Sequence, residues 1–469
     1  MTPQSLFRGV CAPVMNIGVS RRRWMLSLGG LAIVAAAMVL SITAAAANRP
    51  RAHAAFVPQC SDAQYPATRD PSNPLDLPTD PGPDPLSGAH LFIDGPRHGD
   101  AAGGIEQLLG LTPTSYPDDY SWAQFEADLA SPPLSSKLSA DPGLAHDVQL
   151  LEKIGNEEEP QNLSLYSGGG GPGAVYGQVQ KLLCHNLTAD HTPHTVPVFT
   201  TFFVYPKGKF CPSLAAIRAN WPTFKRQIGE LAAGTGRHPV IYLLEIDSVG
   251  TSTCLSKHAR QAWEGDLRYE IEEMTSLPHT VVYIEAGSSD EAPVGYVVKM
   301  IDAICVIGIH HHLVNVCSLM RGFFTNDTHF NWSINEIKWA TKVSEGLQKL
   351  ILKQTKQEYT PYFVVNTSQN GRGPKSNPHP RTQGSEDLCN PPGRGLGRKP
   401  TANTAPTFDG HDFFPRLDAF LWTGVPGRSH GSTCHPGDAP PGVWFARFAL
   451  ELAANANQQL GPGYPSQPY

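Results

Sequence analysis

From residue 196 onwards, apolar runs of five to ten residues alternate with longer amphipathic stretches. Runs that are apolar on both faces are typical of parallel strands covered by helices. The alternation therefore predicts parallel β/α units. The predicted strands are Val196–Tyr205, Val240–Asp247, Thr280–Gly287, Leu319–Asn326, Tyr362–Asn366 and Leu417–Thr423. The predicted helices are Leu214–Ala233, Ala259–Leu277, Asn335–Lys353 and Gly442–Ala456.

Several of the predicted strands end in polar residues, including Tyr205, Asp247, Glu285, Asn326 and Asn366. In a β/α barrel, the carboxyl ends of the strands form the rim of the active site. In an extended strand, Glu245 and Asp247 would share one face, so both would point to the mouth of a barrel. The alternative is that both are ordinary solvated residues at the edge of a loop.

The N-terminus has the pattern of a targeting segment. Ser20 to Arg23 lead into an apolar run from Trp24 to about Ala47, and Ala52-His53-Ala54 matches a cleavage site. The paired arginines resemble a twin-arginine export signal. The run is also long enough to span a bilayer, so an uncleaved anchor is the alternative. Either way, we expect most of the chain to be secreted or to face the outside.

Composition excludes several classes of protein. The 469 residues carry a net charge of −6 without a basic stripe, which argues against a nucleic-acid partner. The 44 glycines and 43 prolines indicate a loop-rich globular protein. Eight of the nine cysteines follow the export segment, and an even count in an exported chain indicates disulfides. None has C-x-x-C spacing, so we expect no metal site and no cofactor.

We divide the chain into four segments. Residues 1–54 are the export signal or anchor, and 55–83 are a Pro-rich lead-in without a hydrophobic period. Residues 84–459 are the folded domain, and 460–469 are a tail. We expect a monomer that contacts a membrane only through an uncleaved N-terminal segment.

Six segments occur in the order of the motifs of one enzyme family. They are YLLEIDSVG (242–250), VYIEAG (282–287), RGFFTNDTHFNW (321–332), FVVNTSQNGRGP (363–374), CNPPGRGLGRKPT (389–401) and DAFLWTGVPGRSHG (418–431). Together they resemble glycoside hydrolase family 6, the inverting cellulases, over roughly residues 84–459. The resemblance implies a distorted, incomplete β/α (TIM-like) barrel with an active-site cleft at the C-terminal strand ends. It also implies a β-1,4-glucan substrate and the disulfides Cys211–Cys254 and Cys389–Cys434. Cys60, Cys184, Cys305 and Cys317 stay unassigned.

The resemblance assigns roles to individual residues. The proton donor of the family falls on Asp247, which must be protonated near the working pH to protonate the leaving oxygen. We expect burial beside Glu245, a like charge, to raise the pKa of Asp247. The predicted substrate-binding residues are Tyr205, Glu245, Asn326, Trp332, Asn366, Arg394 and Trp422, and Asp327 is a further residue expected to line the cleft.

Three family carboxylates are changed. Phe210 stands where the family has an Asp before the first disulfide cysteine, Glu285 replaces the Asp of Y-L-D-A-G, and His430 replaces the Asp of E-S-D-G. Inversion needs a base about 6.5–9.5 Å from the acid. Glu285, His430 and a water relay are the candidates. A histidine base with an ordinary pKa would produce a limb near pH 6.5 in the rate profile.

The sequence thus supports a secreted β-glucanase. Because the rim loop after His430 is short, we expect an open cleft and internal cleavage. The changed carboxylates leave a second interpretation, a catalytically degenerate glucan-binding protein on the same fold. A third, an envelope protein that uses the barrel for protein contacts, would give the cleft motifs no reason to persist in order.

Overall fold

The computed structural model describes residues 62–70, 84–87, 90–91, 100–111, 122–157, 161–164, 171–189, 195–206, 209, 211–374, 389–404, 414–431 and 437–464. All of these residues lie in one compact unit, Val57–Tyr469. None of the helices in these ranges is long and apolar enough to cross a membrane. The predicted export segment lies outside them and stays a prediction.

The predicted parallel sheet is confirmed. In chain order the strands are β1 (His90–Leu91), β2 (Gln161–Ser164), β3 (Thr195–Val196), β4 (Val198–Phe202), β5 (Val240–Leu244), β6 (Thr280–Glu285), β7 (Val306–Ile309), β8 (His312–Asn315), β9 (Gly322–Thr325), β10 (Tyr362–Asn366) and β11 (Leu417–Leu421). Seven of those described form one sheet in the order β11-β10-β9-β6-β5-β4-β2. Every pair in it is parallel. The sheet curls into an incomplete barrel with β2 and β11 at its edges.

Helices connect the strands. They are α1 (Asp100–Leu108), α2 (Trp122–Leu129), α3 (Leu134–Ala140), α4 (Pro142–Gly155), α5 (Ala174–Ala189), α6 (Leu214–Thr235), α7 (Lys257–Thr275), α8 (Val294–Cys305), α9 (Ser333–Thr355) and α10 (Ala446–Ala454). Four of them, α6, α7, α9 and α10, correspond to the predicted helices. The sequence pattern did not predict α8, in the crossover between β6 and β9. It also missed the helices before residue 190.

Alternation along the strands separates two cores. Val240, Tyr242 and Leu244 of β5 pack with the crossover helices in the largest apolar cluster. Ile241 and Leu243 instead join an interior cluster formed almost entirely by strand residues. This period of two places the residues of one parity inside the barrel.

A buried ion pair crosses the barrel interior. Arg321, directly before β9, donates to both carboxylate oxygens of Asp418 in β11 at 2.9 and 2.8 Å. The Tyr283 hydroxyl of β6 donates to the same carboxylate at 2.7 Å. The guanidinium also lies 3.6 Å from the centroid of the Tyr362 ring. These contacts tie β6, β9, β10 and β11 together inside the barrel, where an unpaired charge would be strongly destabilising.

Disulfides tie loops of the domain. Cys211 and Cys254 are bonded, as the resemblance implies, and join the loops that follow β4 and β5. A bond between Cys305 and Cys317 closes the base of the antiparallel β7–β8 hairpin, and the sequence analysis did not assign it. Cys434 lies outside the described residues, so the Cys389–Cys434 bond stays a prediction.

Candidate active site

The chain leaves strand geometry at the carboxyl end of β5. The strand stops at Leu244, and Glu245 and Asp247 have φ angles of 55° and 63°. These angles lie in the left-handed region, which non-glycine residues seldom adopt. The prediction that both carboxylates share the face of one strand is therefore wrong, because the alternation rule requires extended backbone.

Glu245 turns away from the mouth of the barrel. Its carboxylate accepts hydrogen bonds from the backbone N–H groups of Phe203 and Val204, each at 2.9 Å, just beyond β4. It also hydrogen-bonds the carboxyl of Glu270 on α7, and both carboxyl groups are fully buried. Glu245 therefore has a structural role in holding the end of β4, contrary to the predicted contact with substrate.

Asp247 is partly exposed, whereas the neighbouring strand-end carboxylates Glu245 and Glu285 are buried. Its Oδ1 accepts a hydrogen bond of 3.0 Å from the Thr328 hydroxyl. Burial raises the pKa of Asp247, while the His329 cation and the Thr328 hydrogen bond lower it. Burial alone explains the increase, so the expected contribution of Glu245 is not needed.

Tyr205 supports the loop that carries Asp247. Its hydroxyl lies 2.8 Å from the Thr251 hydroxyl, which donates to the backbone carbonyl of Asp247 at 2.5 Å. The ring stacks on Phe202 with 4.4 Å between centroids and is only 1% exposed. The ring thus offers no free face to a sugar in this structure.

Glu285 fixes the same loop from the neighbouring strand. Its Oε2 accepts from the backbone N–H groups of Val249 at 2.8 Å and Gly250 at 3.3 Å, and Oε1 accepts from Gly287. Burial, then the nearby Glu291 and Asp247 carboxylates, raise the pKa of Glu285. A base needs a free oxygen that can reach water. The Glu285 oxygens instead bind backbone N–H groups.

Two buried asparagines clamp the loops after β9 and β10. The Asn326 side-chain amide donates to the Asn366 carbonyl at 3.0 Å, and the Asn366 amide donates to the Asn326 and Asp327 carbonyls at 2.9 and 2.6 Å. Both residues are fully buried. The prediction that they bind substrate is corrected, because their amide groups are used in holding these loops together.

The other predicted substrate-binding residues differ in exposure. Trp422 is fully buried, and its indole N–H donates to the Arg398 carbonyl at 3.0 Å, so it is core and not a platform for a sugar. Arg394 is 8% exposed and donates to the Gly373 carbonyl. Trp332 is partly exposed at the start of α9. It stays a candidate for stacking on a sugar ring.

Asp327 is a further carboxylate at the mouth. It accepts a hydrogen bond from the Thr423 hydroxyl in the loop after β11, and it is 6% exposed. Burial and the Asp247 carboxylate raise its pKa to about 7. Phe210 lies outside the described residues, so the structure does not place it.

His430 is held over an apolar surface. Its ring stacks on Phe330 with 5.7 Å between centroids and meets the edge of Phe448. Its backbone N–H donates to the Asn390 side chain of the C-N-P-P-G segment at 2.9 Å. Burial, and then the His329 cation, lower the pKa of His430 to about 4. Its Nδ1 atom is buried, and none of the described residues hydrogen-bonds it.

Sequence reasoning missed His329, Asp290 and Glu291. His329 Nδ1 lies 3.2 Å from Asp290 Oδ1, and Nε2 lies 3.6 Å from Glu291 Oε2. The available signal was the acidic pair in SSDEAP, directly after the β6 strand end, together with a histidine inside the β9 motif. Within the described ranges, no group of three or more His, Cys, Asp or Glu side chains is arranged to hold a metal ion.

The family model described as "Glycosyl hydrolases family 6" matches residues 216–456. Endoglucanase 1 of Streptomyces sp. (strain KSM-9) is 30% identical over 320 residues, which cover 67% of this chain and 74% of that protein. Endoglucanase A of Cellulomonas fimi is 28% identical over 271 residues, 57% of this chain and 50% of that one. The chain therefore spans three quarters of the first relative but only half of the second.

Solved structures share the fold. The endoglucanase Cel6 from Mycobacterium tuberculosis, in complex with methyl-cellobiosyl-4-deoxy-4-thio-β-D-cellobioside, superposes with a TM-score of 0.55 at 21% identity. The match covers 80% of this chain and 99% of that one. The endoglucanase CEL6B from Humicola insolens matches with a TM-score of 0.53 at 16% identity, over 80% and 99% of the two chains.

The buried Glu245–Glu270 pair predicts a pH-dependent stability. Burial raises the pKa of both carboxyls above the usual value of about 4.3, so the folded state holds more protons than the unfolded state above that pH. The free energy of unfolding should therefore fall as the pH rises from about 5 to 8. Glu270→Gln keeps a donor for Glu245 without a charge. At pH 8 it should be more stable than wild type by ~1–2 kcal/mol.

Urea unfolding at pH 5 and pH 8 measures this difference. Glu272→Gln, on the exposed face of the same helix, is the matched control and should follow wild type. Equal pH slopes for wild type and Glu270→Gln would show that the pair carries no protonation linkage.

Proposed function

The chain belongs to the glycosyl hydrolases of family 6, and from that premise we propose that it hydrolyses β-1,4-glucan with inversion, using Asp247 as the general acid. Asp247 protonates the glycosidic oxygen as the bond to the anomeric carbon breaks. Water attacks that carbon from the opposite face and loses a proton to a base. Each turnover yields two shorter glucans.

One observation carries this proposal. Of the three carboxylates at the ends of β5 and β6, only Asp247 is partly exposed, while its pKa is raised by burial. A general acid must both reach the substrate and keep its proton near the working pH. Glu245 and Glu285 use their oxygens to hold backbone N–H groups around it.

For the base we propose His430. Glu285 is 1% exposed and its oxygens accept from backbone donors, whereas His430 is partly exposed. A pKa of about 4 leaves the imidazole neutral, and so able to accept a proton, over the mildly acidic and neutral range. Asn390 positions the backbone of His430 from the C-N-P-P-G segment.

We further propose internal cleavage by an exported protein. The two relatives cited above are named endoglucanases, which supports internal cleavage. The disulfides Cys211–Cys254 and Cys305–Cys317 support an oxidising compartment, in agreement with the N-terminal targeting pattern. Twin-arginine export with cleavage and an uncleaved anchor both place the domain outside the cell.

Replacement of the acid tests the proposal directly. Wild type should convert cellohexaose and soluble β-glucans into mixed short oligosaccharides, whereas Asp247→Asn should be slower by at least about 100-fold. Asp302→Asn, on α8 away from the strand ends, is the matched control. Products are separated by chromatography, and circular dichroism checks the fold.

Three outcomes separate the alternatives. Undiminished hydrolysis by Asp247→Asn would contradict its assignment as the acid. Cellobiose as nearly the sole product would contradict internal cleavage. Saturable binding of cellohexaose without products from wild type would establish the glucan-binding protein instead, an interpretation that the changes at Phe210 and His430 favour.

His430 as base predicts an acidic limb near pH 4 in the profile of kcat/KM, well below the value of an ordinary histidine. Below that pH the imidazole is protonated and cannot accept a proton, so the rate falls. In His430→Ala this limb should vanish along with most of the activity. An unaltered limb in the variant would assign it to another group.

A further inference from the structure

His329 is an imidazole enclosed by carboxylates next to the candidate acid. It is 6% exposed and lies in the loop after β9, directly after Thr328, whose hydroxyl donates to Asp247 at 3.0 Å. Asp290 and Glu291, from the loop after β6, approach its two ring nitrogens at 3.2 and 3.6 Å. One short loop thus carries the hydroxyl that donates to Asp247 and, on the next residue, an imidazole that interacts electrostatically with Asp247.

The two carboxylates that face the ring make further contacts. Asp290 accepts from the Ser288 hydroxyl at 2.6 Å and also from Asn331. Glu291 packs over the turn after Asp247, since a Cβ atom at Gly250 would lie 2.2 Å from its Oε2. Asp290, the nearer of the two carboxylates, is thus held by two further hydrogen bonds, and Glu291 packs against the loop that carries Asp247.

This surrounding keeps the ring charged. Burial alone would lower the pKa of His329, but Asp290, Glu291 and Asp247 raise it to about 10. Burial would likewise raise the pKa of Asp290, yet the His329 cation and three hydrogen bonds hold it below its usual range. At neutral pH the pair is an imidazolium facing a carboxylate, so His329 itself cannot serve as the base.

The titratable groups that face His329 and Asp247 come from every neighbouring strand end. They are Tyr205 beyond β4, Glu285, Asp290 and Glu291 at β6, Asp327 after β9, Glu336 on α9 and His430 after β11. Burial raises the pKa of the Glu291, Asp327 and Glu336 carboxyls to about 7. Within this set, His329 is the group held as a cation.

We propose that His329, held by Asp290 and Glu291, is a positioning residue that supplies a fixed positive charge to Asp247 and stabilises the carboxylate formed when Asp247 gives up its proton. The proton passes from Asp247 to the glycosidic oxygen, and His329 keeps its own. The catalytic benefit rests on the proposed function, but the effect on Asp247 does not. A preorganised charge of this kind is worth most in a site of low dielectric constant.

The primary test measures Asp247 without requiring activity. In the full chain labelled with 13C at aspartate carboxyls, the Asp247 signal is identified by its loss in Asp247→Asn. It is then titrated by NMR in wild type and in His329→Gln, which preserves a hydrogen-bonding side chain without the charge. The midpoint should rise by about one pH unit in His329→Gln, a tenfold change in the ionisation constant.

Two control variants test whether that shift in the Asp247 midpoint comes from the charge of His329. His258→Gln, on the exposed start of α7, removes a solvent-exposed imidazole and should leave the midpoint unchanged. Thr328→Val removes the hydroxyl donor while leaving the charge, so its shift should be smaller than that of His329→Gln. An Asp247 midpoint that is equal in folded His329→Gln and wild type would overturn the inference.

Kinetics separates this inference from the proposed function. If wild type hydrolyses cellohexaose, the basic limb of kcat/KM should move upward with the NMR midpoint. If wild type is inactive and the midpoint still shifts, the proposed function fails and the inference stands. Should His329→Gln not fold, 15N NMR of wild type decides. Imidazole 15N shifts that show a protonated His329 ring at pH 8 support the inference. Shifts that show a neutral ring at pH 7 overturn it.

Discussion

The hydrogen bonds that Glu245 accepts just beyond the carboxyl end of β4 determine where the chain places the candidate acid, Asp247. Within the described ranges, no strand accepts from the Phe203 and Val204 N–H groups, and the Glu245 carboxylate does so instead. To reach them, the chain turns at a positive φ angle directly after Leu244. Asp247 then follows in a second left-handed conformation, partly exposed at the mouth. A backbone strained in this way persists only where its surroundings determine it, and such sites are often functional.

Around this turn, the protein buries many carboxyl groups and balances them with few cations. Glu285 and Glu291 pack against the loop that carries Asp247, and burial raises the pKa of both. Protonation relieves much of the like-charge repulsion, while one imidazolium, His329, faces the carboxylate that stays ionised, Asp290. Because burial raises the pKa of Glu285 and Glu291 above the usual value for a glutamate, these carboxyls make the stability of the folded state depend on pH. Protonation of these buried carboxyls therefore affects both the stability of the fold and the chemistry at this edge of the sheet.

The alternation of apolar runs with amphipathic stretches was sufficient to predict the parallel sheet, since both faces of each strand are buried. The motif order pointed to Asp247, whose role as the acid stays a proposal. The same reasoning failed at Glu245, because the period of two holds only while backbone stays extended. It also failed at Asn326 and Asn366, because a polar strand end can satisfy neighbouring backbone as well as bind a ligand. Asp290 and His329 are separated by 39 positions, and no local pattern joins them.

The central claim is that Asp247 donates a proton to the leaving group, and dependence on the leaving group tests it most directly. A dinitrophenolate leaves without protonation, so Asp247→Asn should cleave 2,4-dinitrophenyl β-cellobioside at a rate near that of wild type. The same variant should lose nearly all activity on cellohexaose, whose leaving sugar needs the proton. Parallel initial-rate measurements on the two substrates give the comparison. An equal loss on both substrates would contradict the assignment of Asp247 as the general acid.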